Sequence, residues 1–216
     1  METQEGRVLL INKPYTWTSF DVVNKLRYIL KTKKIGHAGT LDPLATGLLI
    51  ICVGKMTKRI NDFMGMEKEY TGKLVLGQTT PSYDLETEVS TPQNIAHISH
   101  DMIQNVTRQF MGKTAQLPPV YSAIKVNGKR AYEFARTGSE VELKPREVEI
   151  RIFEITSIDL PEVSFRVVCS KGTYIRSLVH DVGKVLGVGA YLSELCRTRI
   201  GAYKLENANA VEEISL

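Results

Sequence analysis

The chain has 216 residues, 28 Lys and Arg against 24 Asp and Glu for a net charge of +4, and 43% hydrophobic residues. That is enough to bury a sizeable core, and no apolar run approaches the roughly 20 residues that span a bilayer. The polar first six residues form no secretory leader, and Cys52, Cys169 and Cys196 lack CxxC spacing, against a disulfide scaffold or zinc site, so a cytoplasmic protein is expected.

In chain order, Val8 to Ile11 reads as a strand running into Asn12-Lys13-Pro14. Thr18 or Ser19 can cap a helix over 20–31, where Val22, Leu26, Ile29 and Leu30 share one face. Leu48 to Val53 is a continuous apolar run and reads as a buried strand, followed by a short helix over 57–64. Tyr70 to Leu76 reads as a strand and 78–92 as a polar loop. Ser99 can cap a helix whose Met102, Val106 and Phe110 repeat every four residues. Leu117-Pro118-Pro119 breaks the chain before a strand over 120–126, an Asn127-Gly128 turn and a basic helix over 130–136 ending at Gly138. Val148, Ile150 and Ile152 alternate until Phe153 shifts the phase, which predicts a bulge; Phe165, Val167 and Cys169 alternate in the next strand. Thr173 can cap a helix with Ile175, Leu178, Val179, Val182 and Leu186 inward, before a last strand near 191–200 and a short C-terminal helix. Irregular interleaving with hairpin-like pairs predicts an α+β fold with a mixed or antiparallel sheet in one domain over 1–216.

The bases cluster. Lys31, Lys33 and Lys34 precede the segment 36–47, and Lys55, Lys58 and Arg59 follow its strand. Further groups are Lys125, Lys129, Arg130 and Arg136, then Arg197, Arg199 and Lys204, while Asp84, Glu86, Glu88 and Glu212-Glu213 lie elsewhere. This distribution fits a polyanion held through its phosphates. Segment 36–47, Gly-His-Ala-Gly-Thr-Leu-Asp-Pro-Leu-Ala-Thr-Gly, sets the single carboxylate of Asp42 in a glycine-punctuated loop, with His37 five positions ahead. Gly, Thr, Asp and Pro are ordinary turn residues, so the loop can be structural; tethered to a buried strand, it can equally hold a reactive group. Arg176 falls in a first helical turn, where the macrodipole disfavours a cation, and is either solvated or paired with a carboxylate. On residue preference alone, Tyr70 and Tyr174 read as packed rings. His97, His100 and Asp101 only sketch a metal site, no second acid suggests a glycosidase, and no GxxxxGK[ST] or GxSxG motif is present.

As an ordered string, 36–47 resembles the nucleophile loop of the TruB family of tRNA pseudouridine synthases, with Asp42 at the catalytic position. Residues 169–178, Cys-Ser-Lys-Gly-Thr-Tyr-Ile-Arg-Ser-Leu, are similar to the family's second signature, and 118–125 with 128–136 to its mobile RNA-gripping segment, here about 120–146. The resemblance implies a pseudouridine synthase fold, a central sheet flanked by helices with a central RNA-binding cleft. It implies isomerisation of uridine 55 in the T-arm of tRNA on a flipped-out base, with no cofactor, no metal and no obligatory protein partner. Asp42 is then the catalyst, and Arg176 pairs so as to keep it ionised. Tyr70 stacks on the base, Tyr174 lines the uracil pocket, Leu195 lies beside the base and His37 contacts the RNA. Lys13 contacts phosphate or supports the site. Only 15 residues follow Gly201, too few for the PUA domain many family members carry, so the catalytic domain is expected to stand alone. A noncatalytic RNA-binding or RNA-chaperone protein, and a synthase with another target uridine, are the alternatives.

Overall fold

The computed structural model describes residues 6–126, 128–137, 139 and 141–215, with the backbone alone at Lys125 and Arg136. Asn127 of the expected turn and Gly138 at the expected helix end lie outside the described residues. The strands are β1 (Arg7–Lys13), β2 (Ile35–His37), β3 (Ala45–Val53), β4 (Lys68–Leu76), β5 (Gly112–Gln116), β6 (Lys125–Val126), β7 (Lys129–Arg130), β8 (Arg146–Asp159), β9 (Glu162–Cys169), β10 (Ala190–Ile200) and β11 (Tyr203–Lys204). The helices are α1 (Ser19–Ile29), α2 (Ile60–Gly65), α3 (His100–Arg108), α4 (Ala131–Arg136) and α5 (Ile175–Val185), giving an α+β protein. Two compact units divide the chain, one reaching Thr71 and resuming at Glu194, the other spanning Gly72–Ser193. None of the described helices is long and apolar enough to cross a membrane.

In the first unit β3 is apolar from Leu48 to Val53, where both its faces are covered. Leu49, Ile51 and Val53 pack with Ile11, Val22, Leu26 and Ile35, while Leu48, Ile50 and Cys52 pack with Phe63 and Ile200. Along its edges β3 pairs antiparallel with β1 (Arg7↔Val53 to Lys13↔Gly47) and β2 (Ile35↔Val53 to His37↔Ile51), and parallel with β10 (Leu195↔Ala45 to Arg197↔Gly47). The sheet is therefore mixed. Thr18 caps α1 as expected: its hydroxyl accepts from Asp21 N at 3.1 Å, and Thr18 N donates to the Asp21 carboxylate at 2.8 Å. The expected helix over 57–64 is divided into a 3₁₀ turn, Gly54–Arg59, and α2; the expected C-terminal helix is two 3₁₀ turns, Leu205–Asn207 and Val211–Glu213.

In the second unit β8 pairs antiparallel with β9 on one edge and β5 on the other. The expected bulge is present as a register shift between Ile150 and Ile152. The polar β5 was not expected, and the expected strand over 120–126 shrinks to β6, because carbonyls before it are engaged elsewhere: those of Leu117 and Tyr121 accept from Ser177 and Arg176. Ser99 caps α3 as expected, but the inward face is Ile103, Val106 and Thr107; Met102 is exposed and Phe110 lies past the helix end. Tyr174, not Thr173, is the N-cap of α5, since the Thr173 hydroxyl donates to Ser170 O at 3.0 Å instead. Ile175, Leu178, Val179 and Val182 are the buried apolar face of α5.

Candidate active site

Asp42 stands in the connection of the β2–β3 hairpin. Ala38 N donates to Ile50 O at 2.8 Å, and Ala45 N to Asp42 O at 3.1 Å, closing a turn around Asp42-Pro43. Gly39 and Gly47 hold φ of 94° and 99°, which side-chain-bearing residues avoid. Leu41 and Ala45 are buried on either side while Asp42 is half-buried, so apolar anchors flank a carboxylate that solvent can reach.

Three buried side chains grip the loop's main chain. Ser19 Oγ accepts from Leu41 N at 2.9 Å. Lys13 Nζ donates to Pro43 O at 3.1 Å, Pro14 O at 2.9 Å and Trp17 O at 2.5 Å, which engages all three donors of an ammonium and is the geometry of loop support. Arg197 donates from Nη2 to Gly39 O at 3.1 Å and from Nε to Leu48 O at 2.8 Å. Burial pushes Lys13 down to about 8, with Asp42 and Asp21 pulling it upward and Arg197 pushing it further down. Burial, then the Arg197 charge, lowers His37, leaving a neutral imidazole at the end of β2 at pH 7. Leu195 sits opposite Ala45, and its carbonyl accepts from the Thr46 hydroxyl at 3.4 Å. Tyr70 is buried in β4, whose Glu69 carbonyl accepts from Thr198 of β10 at 3.4 Å. Pairing and side-chain anchors thus bring Asp42, Leu195 and Lys13 to the Ala45 end of β3, while His37 pairs with Ile51, six residues further along the strand.

The second unit carries Tyr174 and Arg176. Gln116, buried at the end of β5, accepts from Tyr174 N at 2.8 Å and donates to Tyr174 O at 3.0 Å, fixing the peptide groups on both sides of that residue. Arg176 is buried, donating from Nη1 to Ser82 O at 3.0 Å and from Nη2 to Tyr121 O at 2.9 Å, with Nε 3.5 Å from the buried Asp84 carboxylate. That carboxylate offsets the unfavourable position of a cation in a first helical turn. Sequence reasoning missed Ser19 and Arg197, which hold the Asp42 loop in the first unit, and Asp84 and Gln116, which hold Arg176 and Tyr174 in the second. Arg197 was grouped with Arg199 and Lys204, and the mixed polar strand around it carries no signal of its burial. Asp84 was grouped with Glu86 and Glu88, which are exposed. Among the described residues no group of three His, Cys, Asp or Glu could hold a metal, so His97, His100 and Asp101 form none.

A family model described as TruB family pseudouridylate synthase (N terminal domain) matches residues 27–175, and one described as tRNA pseudouridylate synthase B C-terminal domain matches 176–216. The chain belongs to the TruB family. Within it, the chain is 55% identical over 214 residues to tRNA pseudouridine synthase B of Flavobacterium johnsoniae, covering 96% of this chain and 93% of the relative. It is 53% identical over 220 residues to the Parabacteroides distasonis protein of that name, covering 99% and 94%. Among solved structures, a chain of a Cbf5-Nop10-Gar1 complex is 33% identical with a TM-score of 0.76, and a chain of an H/ACA RNP bound to a substrate RNA containing 2′-deoxyuridine is 30% identical with a TM-score of 0.73. Each match covers 99% of this chain but only 54% and 53% of those chains, so this TruB-family chain spans about half their length. The pseudouridine synthase fold expected from sequence is thereby shown.

Proposed function

We propose that this TruB-family protein isomerises uridine to pseudouridine in the T-arm of tRNA, at position 55, with Asp42 as the catalyst. The likeness of nearly the whole chain to proteins named tRNA pseudouridine synthase B carries this reading. The geometry around Asp42 supports it, since three buried side chains fix a loop whose half-buried carboxylate is accessible. In the reaction the N1–C1′ glycosidic bond breaks, the uracil turns, and C5 bonds to C1′. The C5 hydrogen leaves as a proton and N1 gains one. No atom enters from a co-reactant, so tRNA is the sole substrate. The base must first leave its stack, at a cost of a few kcal/mol. Tyr70 stacks on the extruded base, Tyr174 and Leu195 line its pocket, His37 contacts the RNA as a neutral group, and Arg176 serves the reacting uridine. A cytoplasmic location fits a tRNA substrate.

Tritium release from [5-³H]uridine-labelled tRNA transcripts tests this reading. Wild type should release tritium, and Asp42→Asn should lose at least about 10³-fold in rate while keeping its fold and tRNA affinity. A transcript with uridine 55 replaced should release none above background. Release by Asp42→Asn at the wild-type rate would remove Asp42 from catalysis, and release from the altered transcript would move the target. Tight binding without release by wild type would favour an RNA-binding protein.

A further inference from the structure

Residues 82–84 touch α5 at two levels. Ser82 and Asp84 reach Arg176, through the Ser82 carbonyl at 3.0 Å and the Asp84 carboxylate at 3.5 Å. Tyr83, between them, lays its ring on the His180 imidazole, with centroids 3.9 Å apart and planes at 15°. His180 lies four residues beyond Arg176, so both occupy one face of the helix. Tyr83 has φ of 67°, a left-handed conformation that bulky side chains rarely adopt. Glycine would hold this turn without strain. A tyrosine there implies that its ring does something glycine cannot.

The surrounding bonds show what the turn achieves. Tyr83 N donates to Thr80 O at 3.2 Å, Leu192 N donates to Tyr83 O at 2.9 Å, and the Thr80 hydroxyl donates to Asp84 O at 2.6 Å. These bonds close the loop on itself and on β10, but none reaches α5. Besides the groups that hold Arg176, the ring stack gives the loop a further contact with this helix, one turn along it. We propose that the Tyr83–His180 stack is a clasp that positions the Ser82 carbonyl and the Asp84 carboxylate on Arg176, making Tyr83 and His180 positioning residues for the isomerisation. Burial lowers the His180 pKa, which keeps the imidazole neutral at pH 7 and suits face-to-face packing against a phenol. The inference rests on the reading of Arg176 as a residue of the active site.

Single-turnover pseudouridine formation, measured beside tRNA binding, tests the clasp. Tyr83→Gly keeps the backbone free to hold the turn and removes the ring; His180→Ala removes the other ring and leaves the loop's sequence intact. Each should slow the chemical step about tenfold or more with tRNA affinity changed less than about twofold. Tyr83→Phe keeps the stack and should restore the wild-type rate, and the Tyr83→Gly, His180→Ala double variant should be no slower than the worse single one. Wild-type rates in both single variants, or a Tyr83→Phe rate as low as that of Tyr83→Gly, would overturn the clasp. Arg176→Lys separates the two readings. If it is inactive while both ring variants are unimpaired, only the clasp fails; if it is fully active, the assignment of Arg176 fails first.

Discussion

Lys13 has no exposed surface, and its three donors meet three main-chain carbonyls. Replacing it by methionine keeps the buried stem and strands the carbonyls of Pro14, Trp17 and Pro43. Each buried acceptor left unmet costs about 1–3 kcal/mol, so Lys13→Met should lose roughly 3–5 kcal/mol, seen as a lower urea midpoint at unchanged m. Titration of the same group gives a second expectation. Its pKa falls from 10.5 to about 8 on folding, so between those values the unfolded chain binds more protons. Stability contributed by this residue therefore rises with pH across that window and is flat below it. Urea unfolding of wild type and Lys13→Met from pH 7 to 10.5 should show their difference growing by up to ~1.4 kcal/mol per pH unit above about pH 8.

Strand β3 meets β10 where Gly47 faces Arg197, and a Cβ at residue 47 would lie 2.4 Å from the Arg197 carbonyl oxygen. The approach and the φ of 99° both require glycine. Gly47→Ala should destabilise by about 2–4 kcal/mol in calorimetry, through strand separation and backbone strain. Gly65→Ala, where an added Cβ meets nothing within 4 Å, should stay within about 0.5 kcal/mol of wild type. The elements that were legible in the sequence carry a strong local signal: the apolar run of β3, the Thr18 cap of α1, and the phase slip at Phe153. Those that were not legible depend on partners distant in sequence. The polar Gly112–Gln116 is a strand because β8 offers it an edge, and residues 117–121 are not because the carbonyls of Leu117 and Tyr121 serve α5. For the same reason the string 36–47 was readable as a site, whereas Arg197, Gln116 and Asp84 were not: Gln116 bonds Tyr174 across 58 positions and Arg197 bonds Gly39 across 158, while Asp84 meets an arginine on a helix far along the chain.

Across the molecule the net charge of +4 is small, but several lysines lie exposed near the Asp42 loop in sequence. Lys31, Lys33, Lys34, Lys55 and Lys58 are exposed in the first unit, whereas Lys13 and Arg197 are spent inside. Affinity for tRNA should fall linearly in log K against log salt, with a slope of about 0.7–0.9 per phosphate neutralised. The double variant Lys33→Ala, Lys34→Ala should reduce that slope by about 1.5 in filter-binding titrations and leave the melting temperature unchanged, because both side chains are exposed. An unchanged slope would remove these lysines from the RNA-contacting set.

Lys13, Ser19 and Arg197 grasp the Asp42 loop by its peptide groups, at the carbonyls of Gly39, Leu41 and Pro43 and the N–H of Leu41. Their hold is therefore indifferent to which residues the loop carries at positions such as Thr40 and Leu44. The loop can be rewritten there while its path is kept, and mutational fragility is moved onto three residues outside it. A screen of the loop alone would then report a tolerant segment and overlook the side chains on which its shape depends.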